Sequence, residues 1–323
     1  MGGAQLSTLL VASTGGHLKQ LHRLHRRLVG IEGPYRWATF DTPQSRSLLE
    51  GDEVDYVHFV GGRDPVNLLR NVPAVRRILA DREIDAVVST GSSMALPFFA
   101  LGRATGRECH YIESAARSEG PSVTGRAMSR IPGVWLYAQY ANWARDGWRH
   151  RGSVFDSFAP SASNGRRPSR LSRVVVTLGT YRGYGFERLV RRLLAILPAE
   201  SEVLWQTGDT DTDDLGVVGH RAIPERDLCQ AMREADVVVA HAGVGAAIAA
   251  LEAGKCPVLV PRRHAMGEHV DDHQIQIATE LRNRSLSVSV DADELTLAHL
   301  LAGAARRAQT LAEDPPFVTG TVA

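Results

Sequence analysis

Short runs of β-branched and aromatic residues alternate with amphipathic helical stretches along the chain, and this alternation narrows the possible folds more than any other feature. "LSTLLVAST", "YRWATF", "DYVHFV", "DAVVST", "CHYIES" and "VWLYAQY" come first, separated by segments such as "LKQLHRLHRRL" and "VNLLRNVPAVRRILADR". "VVVTLGT", "EVLWQTG", "DVVVAHAG", "PVLVP" and "LSVSV" follow. Such alternation implies parallel sheets, helices on both faces and right-handed crossovers. In sheets of this kind ligands bind at the carboxyl ends of the strands, so the loops leaving those ends are where chemistry is expected.

One composition break interrupts the pattern. "APSASNGRRPSR", residues 159–170, is nearly devoid of apolar residues and reads as an interdomain linker, which predicts domains over 1–160 and 171–313. The 323 residues suit two α/β cores of about 150 residues each. "DADELTLAHLLAGAARRAQTLAE" predicts a terminal helix, the element that could pack back on the first domain, and "DPPFVTGTVA" reads as a loose end. No apolar run approaches the roughly 18 residues of a membrane span, and "MGGAQLSTLLVAST" reads as a first strand rather than a leader, which points to a cytoplasmic protein. Cys109, Cys229 and Cys256 are too scattered for a disulfide framework or a zinc site. Residues 1–169 carry 21 Lys and Arg against 15 Asp and Glu, whereas the remainder carries 16 against 21. A basic first half suits an acidic partner, such as a phosphorylated acceptor or an anionic membrane surface. With no basic run interleaved with aromatics, nucleic acid is disfavoured.

Glycine and histidine meet at the strand exits. In "VVVAHAGVGAAIAALEAG" a buried strand ends at His241 and a small-residue helix begins. Gly243 and Gly245 let backbone approach a ligand, the helix offers its first N–H groups to an anion such as a diphosphate, and His241 offers a ring donor. The spacing matches neither a P-loop nor the dinucleotide fingerprint. The glycines alone could equally make a tight turn. "PRRHAMGEHVDDHQIQIATEL" is a second polar exit, either a solvated face or a binding surface; Asp271, Asp272 and Gln274 suit sugar hydroxyls. His264, His269 and His273 lack a strong zinc spacing. In the first half, "STGGH" places Gly15 and Gly16 where phosphate could approach and His17 where an imidazole could act as general base, cap the helix or bind phosphate. Glu113, ending "CHYIES", is the other candidate base, or the partner of Arg117. Arg117, Arg126 and Arg130 suit an anionic pyrophosphate lipid or a solvated loop; Leu18, Leu21, Leu24 and Leu28 read as a core-facing stripe.

"VVTLGT", "WQTG", "ADVVVAHAGVG" and "PVLVPRRHAMGEHVDDHQ", in this order, resemble the C-terminal domain of family 28 glycosyltransferases, particularly the donor-binding subunit of the two-subunit UDP-N-acetylglucosamine transferase of dolichol-linked glycan synthesis. "LLVASTGGHLKQL", "STGSSMALPFFALGRATG" and "HYIESAARSEGPSVTGRAMS" resemble the acceptor-binding partner subunit and the bacterial exopolysaccharide subunit pairs. The chain is similar to both subunits fused, acceptor half first, over most of residues 6–285. The resemblance implies an α/β GT-B fold, with two doubly wound, Rossmann-like domains facing a cleft. It also implies an inverting, metal-independent enzyme that moves a sugar from a UDP-sugar to a lipid-linked or glycan acceptor, needing no further cofactor, at the inner face of a membrane. A nucleotide-sugar epimerase or hydrolase, or a non-catalytic sugar-nucleotide-binding partner of a membrane transferase, are the alternatives. By the same resemblance Gly179, Thr180, His241, Ala242, Gly243 and Gly245 flank the diphosphate, and Gln206 and Ile223 lie on the nucleoside side. Asp272, His273 and Gln274 contact the donor sugar. The family's ribose-binding glutamate position is Ala249 here, and Glu252, three residues on, is the substitute expected.

Overall fold

The computed structural model describes residues 6–31, 33–61, 64–161, 168–180 and 183–320. Residues 162–167, the middle of the expected linker, lie outside the described residues. The chain divides into two compact units, one of the residues up to Val154 plus those from Asp314, the other Phe155–Glu313.

In the first unit the parallel strands are β1 (Ser7–Val11), β3 (Tyr35–Phe40), β4 (Glu53–Val57), β5 (Ile84–Ser89), β6 (Glu108–Ile112), β7 (Val134–Ala138) and β8 (Trp148–His150); β2 (Leu28–Val29) lies apart. Their order is β4-β3-β1-β5-β6-β7-β8. Between them run α1 (Gly16–Leu24), α2 (Pro43–Leu48), α3 (Pro65–Arg70), α4 (Val72–Ile78), α5 (Ala95–Ala104) and α6 (Val123–Met128). The chain builds outward from β1 through β3 and β4, then returns to place β5 on the other side of β1. The direction of winding therefore reverses between β1 and β5, which opens a crevice at their carboxyl ends. Leu18, Leu21 and Leu24 of α1 are fully buried, as their spacing predicts; Leu28 is buried too, but in β2.

The second unit repeats this logic. Its sheet contains β10 (Arg173–Thr177), β11 (Glu202–Gln206), β12 (Val237–His241), β13 (Val258–Val260) and β14 (Val288–Ser289), in the order β11-β10-β12-β13-β14, all parallel. Winding reverses between β10 and β12. Buried on both faces, the central strands β10, β12 and β13 are rich in valine. Val174, Val176, Val237 and Val239 face Leu189, Val190 and Leu193 of α7 (Glu187–Ile196). Val175 and Val238 face the other way, toward Leu228 and Met232 of α8 (Glu225–Glu234) and Ala249 and Ala250 of α9 (Val244–Glu252). This is the period-two alternation of a strand. α10 (His273–Asn283) precedes β14.

Three expectations are corrected. The terminal helix, α11 (Leu297–Ala304), does not return to the first unit: Leu300 and Ala304 join the second unit's core, and Gly303 sits so close to β13 that a Cβ there would lie 2.7 Å from Val258 Cγ2. The linker's first residues are strand, not coil, because β9 (Phe158–Ser161) pairs antiparallel with β15 (Arg307–Thr310). It is the supposedly loose end that rejoins the first unit. β16 (Phe317–Val318) pairs parallel with β2, Phe317 is fully buried against Tyr137, and Arg23 holds Asp314 at 2.6 Å. Thr319 N donates to Val29 O and Gly320 N to the Tyr137 hydroxyl, each at 2.8 Å. Among the described residues no helix is long and apolar enough to cross a membrane.

Candidate functional site

At the second unit's switch point, Leu178, Gly179 and Thr180 leave β10 beside Ala242 and Gly243, which lead from β12 into α9. The imidazole of His241 is wedged between them. A Cβ on Gly179, whose φ is +80°, would lie 2.7 Å from the ring's Cε1, and a Cβ on Gly243 would lie 2.2 Å from Nε2. The glycines thus make room for a side chain at least as much as for a ligand. His241 Nδ1 lies 3.3 Å from Thr177 O; a carbonyl only accepts, so Nδ1 carries the hydrogen and Nε2 is left as an acceptor. Burial, and next the charge of Arg262, push the ring's pKa down to about 3. The ring is therefore neutral, and the donor expected at this position is not on its outward nitrogen.

Donors come instead from the backbone. Ala247 N makes the first bond inside α9, to Gly243 O at 3.0 Å, so the N–H groups of Val244, Gly245 and Ala246 have no acceptor within the helix. No side chain caps the helix, and Gly245 and Ala246 present little beyond backbone. These amides and the helix dipole form a ready anion site. Thr180 is exposed at the same mouth, whereas Ala242 is buried with its N–H on Val260 O at 3.2 Å.

Other expected ligands prove to be supports. Gln206 is buried, donating to Thr177 Oγ1 at 2.8 Å and accepting from Ile223 N at 2.9 Å, so it ties β10 to the 219–224 loop and occupies Ile223's N–H. Gln274 is buried, and its Oε1 accepts from Arg262 N at 3.1 Å. Ala249 packs into the core, leaving no carboxylate at that turn. Glu252 is the last residue of α9, about 12 Å along the axis from Val244 at 1.5 Å per residue, and so sits at the end away from the mouth.

The loop after β13 keeps its polar character. Asp272 is exposed, with Oδ1 accepting from His264 N at 2.9 Å. Asp271 and His273 pair carboxylate to Nδ1, and the His273 ring meets His269 edge-on at 4.7 Å. His269, Asp271 and His273 are the one group of three potential metal ligands close together among the described residues, within 4.8 Å, with Asp271 and His273 already paired to each other. Arg188, chelating Glu268 at 2.9 and 3.1 Å and reaching Asp291 at 2.5 Å, braces this loop. That brace was missed because its residues lie some 80 or more positions apart. A cavity of about 580 Å³ opens on the α10 side of the loop, lined by Asp272, Thr279 and Arg282 among others; none of the Gly179–His241–Gly243 junction lines it.

In the first unit the β1 and β5 exits also converge on a histidine. Gly15, at φ +86°, caps α1 and donates its N–H to Gln44 Oε1 at 2.6 Å, while Gly16 O accepts from Gln20. His17 Nδ1 lies 2.8 Å from Thr90 O, and the Thr90 hydroxyl returns a bond to His17 O at 2.7 Å. Nδ1 carries the hydrogen here too, and Nε2 is the acceptor, as a general base requires. The ring stands over Gly91, where φ is +117° and a Cβ would lie 2.9 Å from Cε1. Glu113 is different. It is 1% exposed and accepts from Ser114 N at 3.0 Å, Ser122 N at 2.9 Å, the Ser122 hydroxyl at 3.0 Å and the Tyr111 hydroxyl at 3.4 Å. Burial pushes its pKa up and the Ser122 and Ser114 bonds oppose that. The carboxylate that looked like a base is an internal anchor for the start of α6. Gln20 and Gln139 extend this buried network to Ala115 and Val154. Arg126 and Arg130 are turned to backbone carbonyls at the surface of α6.

Residues 173–314 match the glycosyltransferase family 28 C-terminal domain. The relatives extend over both units. The UDP-N-acetylglucosamine--N-acetylmuramyl-(pentapeptide) pyrophosphoryl-undecaprenol N-acetylglucosamine transferase of Cupriavidus metallidurans is 27% identical over 333 residues, covering 93% of this chain and 90% of that protein. The UDP-N-acetylglucosamine transferase subunit ALG13 of Yarrowia lipolytica is 46% identical over 70 residues, 21% of this chain and 34% of its own length. The crystal structure of Acinetobacter baumannii MurG superposes with a TM-score of 0.54 at 19% identity, covering 92% of this chain and 89% of that one. The chain has the GT-B fold, and its second unit is similar to the family 28 C-terminal domain.

Proposed function

We propose that this glycosyltransferase moves a sugar from a UDP-sugar to a hydroxyl of a lipid-linked acceptor, with inversion and with peptide dipoles rather than a divalent ion carrying the leaving group's charge. The observation that carries the reading is the Gly179–His241–Gly243 junction opening on the bare N-terminus of α9. The diphosphate sits on the amides of residues 244–246, with Thr180 beside it and Asp272 and His273 toward the sugar. The acceptor oxygen attacks the anomeric carbon and gives up its proton to a general base, for which His17 is the candidate in the first unit; the bond from that carbon to the diphosphate breaks as the new one forms, giving inversion and free UDP. The name of the Cupriavidus relative, a UDP-N-acetylglucosamine-dependent transferase to a pyrophosphoryl-undecaprenol acceptor, supports both substrate classes, and that of the Yarrowia subunit supports the donor class. A cell-envelope or exopolysaccharide precursor on the cytoplasmic side of the membrane is the matching acceptor. Peripheral membrane contact is supported by Phe59, Val66 and Leu69, 52%, 60% and 69% exposed, with Arg70 beside them on α3.

The test is UDP release from a panel of UDP-sugars, with and without polyprenyl-phosphate-linked acceptors. Release that requires the acceptor is expected. Conversion without it would replace transfer by epimerisation or hydrolysis, and binding with no turnover would leave an accessory role.

A further inference from the structure

Arg262, at the exit of β13, is 1% exposed. A guanidinium has five N–H donors. Here Nη2 donates to Leu178 O at 2.6 Å, Nη1 reaches Glu268 O at 3.5 Å, and Nε finds no acceptor. The guanidinium carbon lies 5.5 Å from the centre of the Phe186 ring. Three carboxylates lie close enough to act on it, and each is engaged elsewhere. Glu268 is held by Arg188 and by Arg263 N, Asp209 by Arg221, and Glu187 by Asp211 N. Arg262 thus makes no ion pair among the described residues. Burial lowers its pKa only to about 10, so it is charged at neutral pH.

A buried charge without a counter-ion is costly, and an anion arriving nearby removes that cost. The position identifies the anion. Leu178 O is the carbonyl just before Gly179, so Arg262 grips the turn that borders the α9 N-terminus. Its charge also helps hold His241 neutral, so the positive charge of the junction resides on Arg262 and the α9 amides and not on the imidazole. We infer that Arg262 is a positioning residue for donor binding, the buried counter-charge for the donor's diphosphate and the clamp on the Leu178–Gly179 turn. The inference rests on the donor site proposed above.

The experiment compares binding of UDP and of uridine by titration calorimetry to the wild type, Arg262→Met, Arg262→Lys and Gly243→Ala, with unfolding midpoints as a check on folding. Arg262→Met should weaken UDP by about tenfold or more and uridine by less than about twofold, and Arg262→Lys should restore UDP binding to within about threefold of wild type. An NMR titration of labelled His241, whose ring is also faced by the titratable His269 and His273, should show its pKa rising in the Met variant but not in the Lys variant. Where the Met variant does not fold, Arg262→Gln, which keeps a donor for Leu178 O, repeats the comparison. Equal weakening of UDP and uridine, or undiminished UDP binding without the charge, overturns the inference alone. If the wild type binds no UDP, or Gly243→Ala binds it undiminished, the donor site fails and the inference with it.

Discussion

At the switch point of the first sheet His17 donates Nδ1–H to Thr90 O, and at that of the second His241 makes the same bond to Thr177 O. In each case the carbonyl belongs to the neighbouring strand or its exit, the ring lies over a glycine of positive φ, and Nε2 is the acceptor. The surroundings then part company. His17 is the second residue of a helix and faces a single glycine. His241 ends a strand, is gripped by two glycines and stands in the field of a buried arginine. One tautomer lock serves two ends: it presents a basic nitrogen in the first unit and packs a turn in the second.

The largest expected effect breaks this comparison at His17. His17→Ala should lower kcat by about 10²–10⁴, the span of general-base catalysis, while leaving UDP affinity within about twofold. A variant that loses UDP binding and keeps its turnover would exchange the roles of the two imidazoles. Next is the first unit's closing strand. Phe317→Ala should cost about 3 kcal/mol, read as an earlier unfolding transition of the first unit with the second unchanged. Gly243→Ala follows, since displacing His241 should weaken UDP by roughly tenfold, an effect of about 1.4 kcal/mol, whereas Gly91→Ala should instead lower kcat through His17.

Per pH unit, the gentlest effect is a slope in stability. His241 has a folded pKa near 3 against 6.5 unfolded, so between those values the unfolded chain binds the additional proton. Stability should therefore fall as pH drops from 6.5 toward 3, by at most about 1.4 kcal/mol per pH unit from this group. His241→Gln should flatten the fall seen in denaturant titrations; an unchanged slope would assign it to other groups.

The strands of both sheets were legible as short runs of β-branched, aliphatic and aromatic residues, Val-rich in the second sheet, and the site loops because they leave those strands. Valine runs do not announce β9, β15 and β16, which are short and lean on partners far away in sequence. Glu113 and Gln274 are both buried, which the sequence did not reveal: a polar residue beside a mouth looks the same in sequence whether it faces solvent or turns inward to hold a loop. Arg262 was visible as one of two adjacent arginines, but only packing distinguishes it, at 1% exposed, from Arg263, whose side chain is 38% exposed and bonded to Asp291.

The tail that seals Phe317 against Tyr137 bears on how such a gene could be divided. Fission inside the 159–170 stretch would assign the first protein's final strand to the second polypeptide. Two separately encoded halves would then have to exchange that peptide in trans, or the first half would have to evolve a substitute plug.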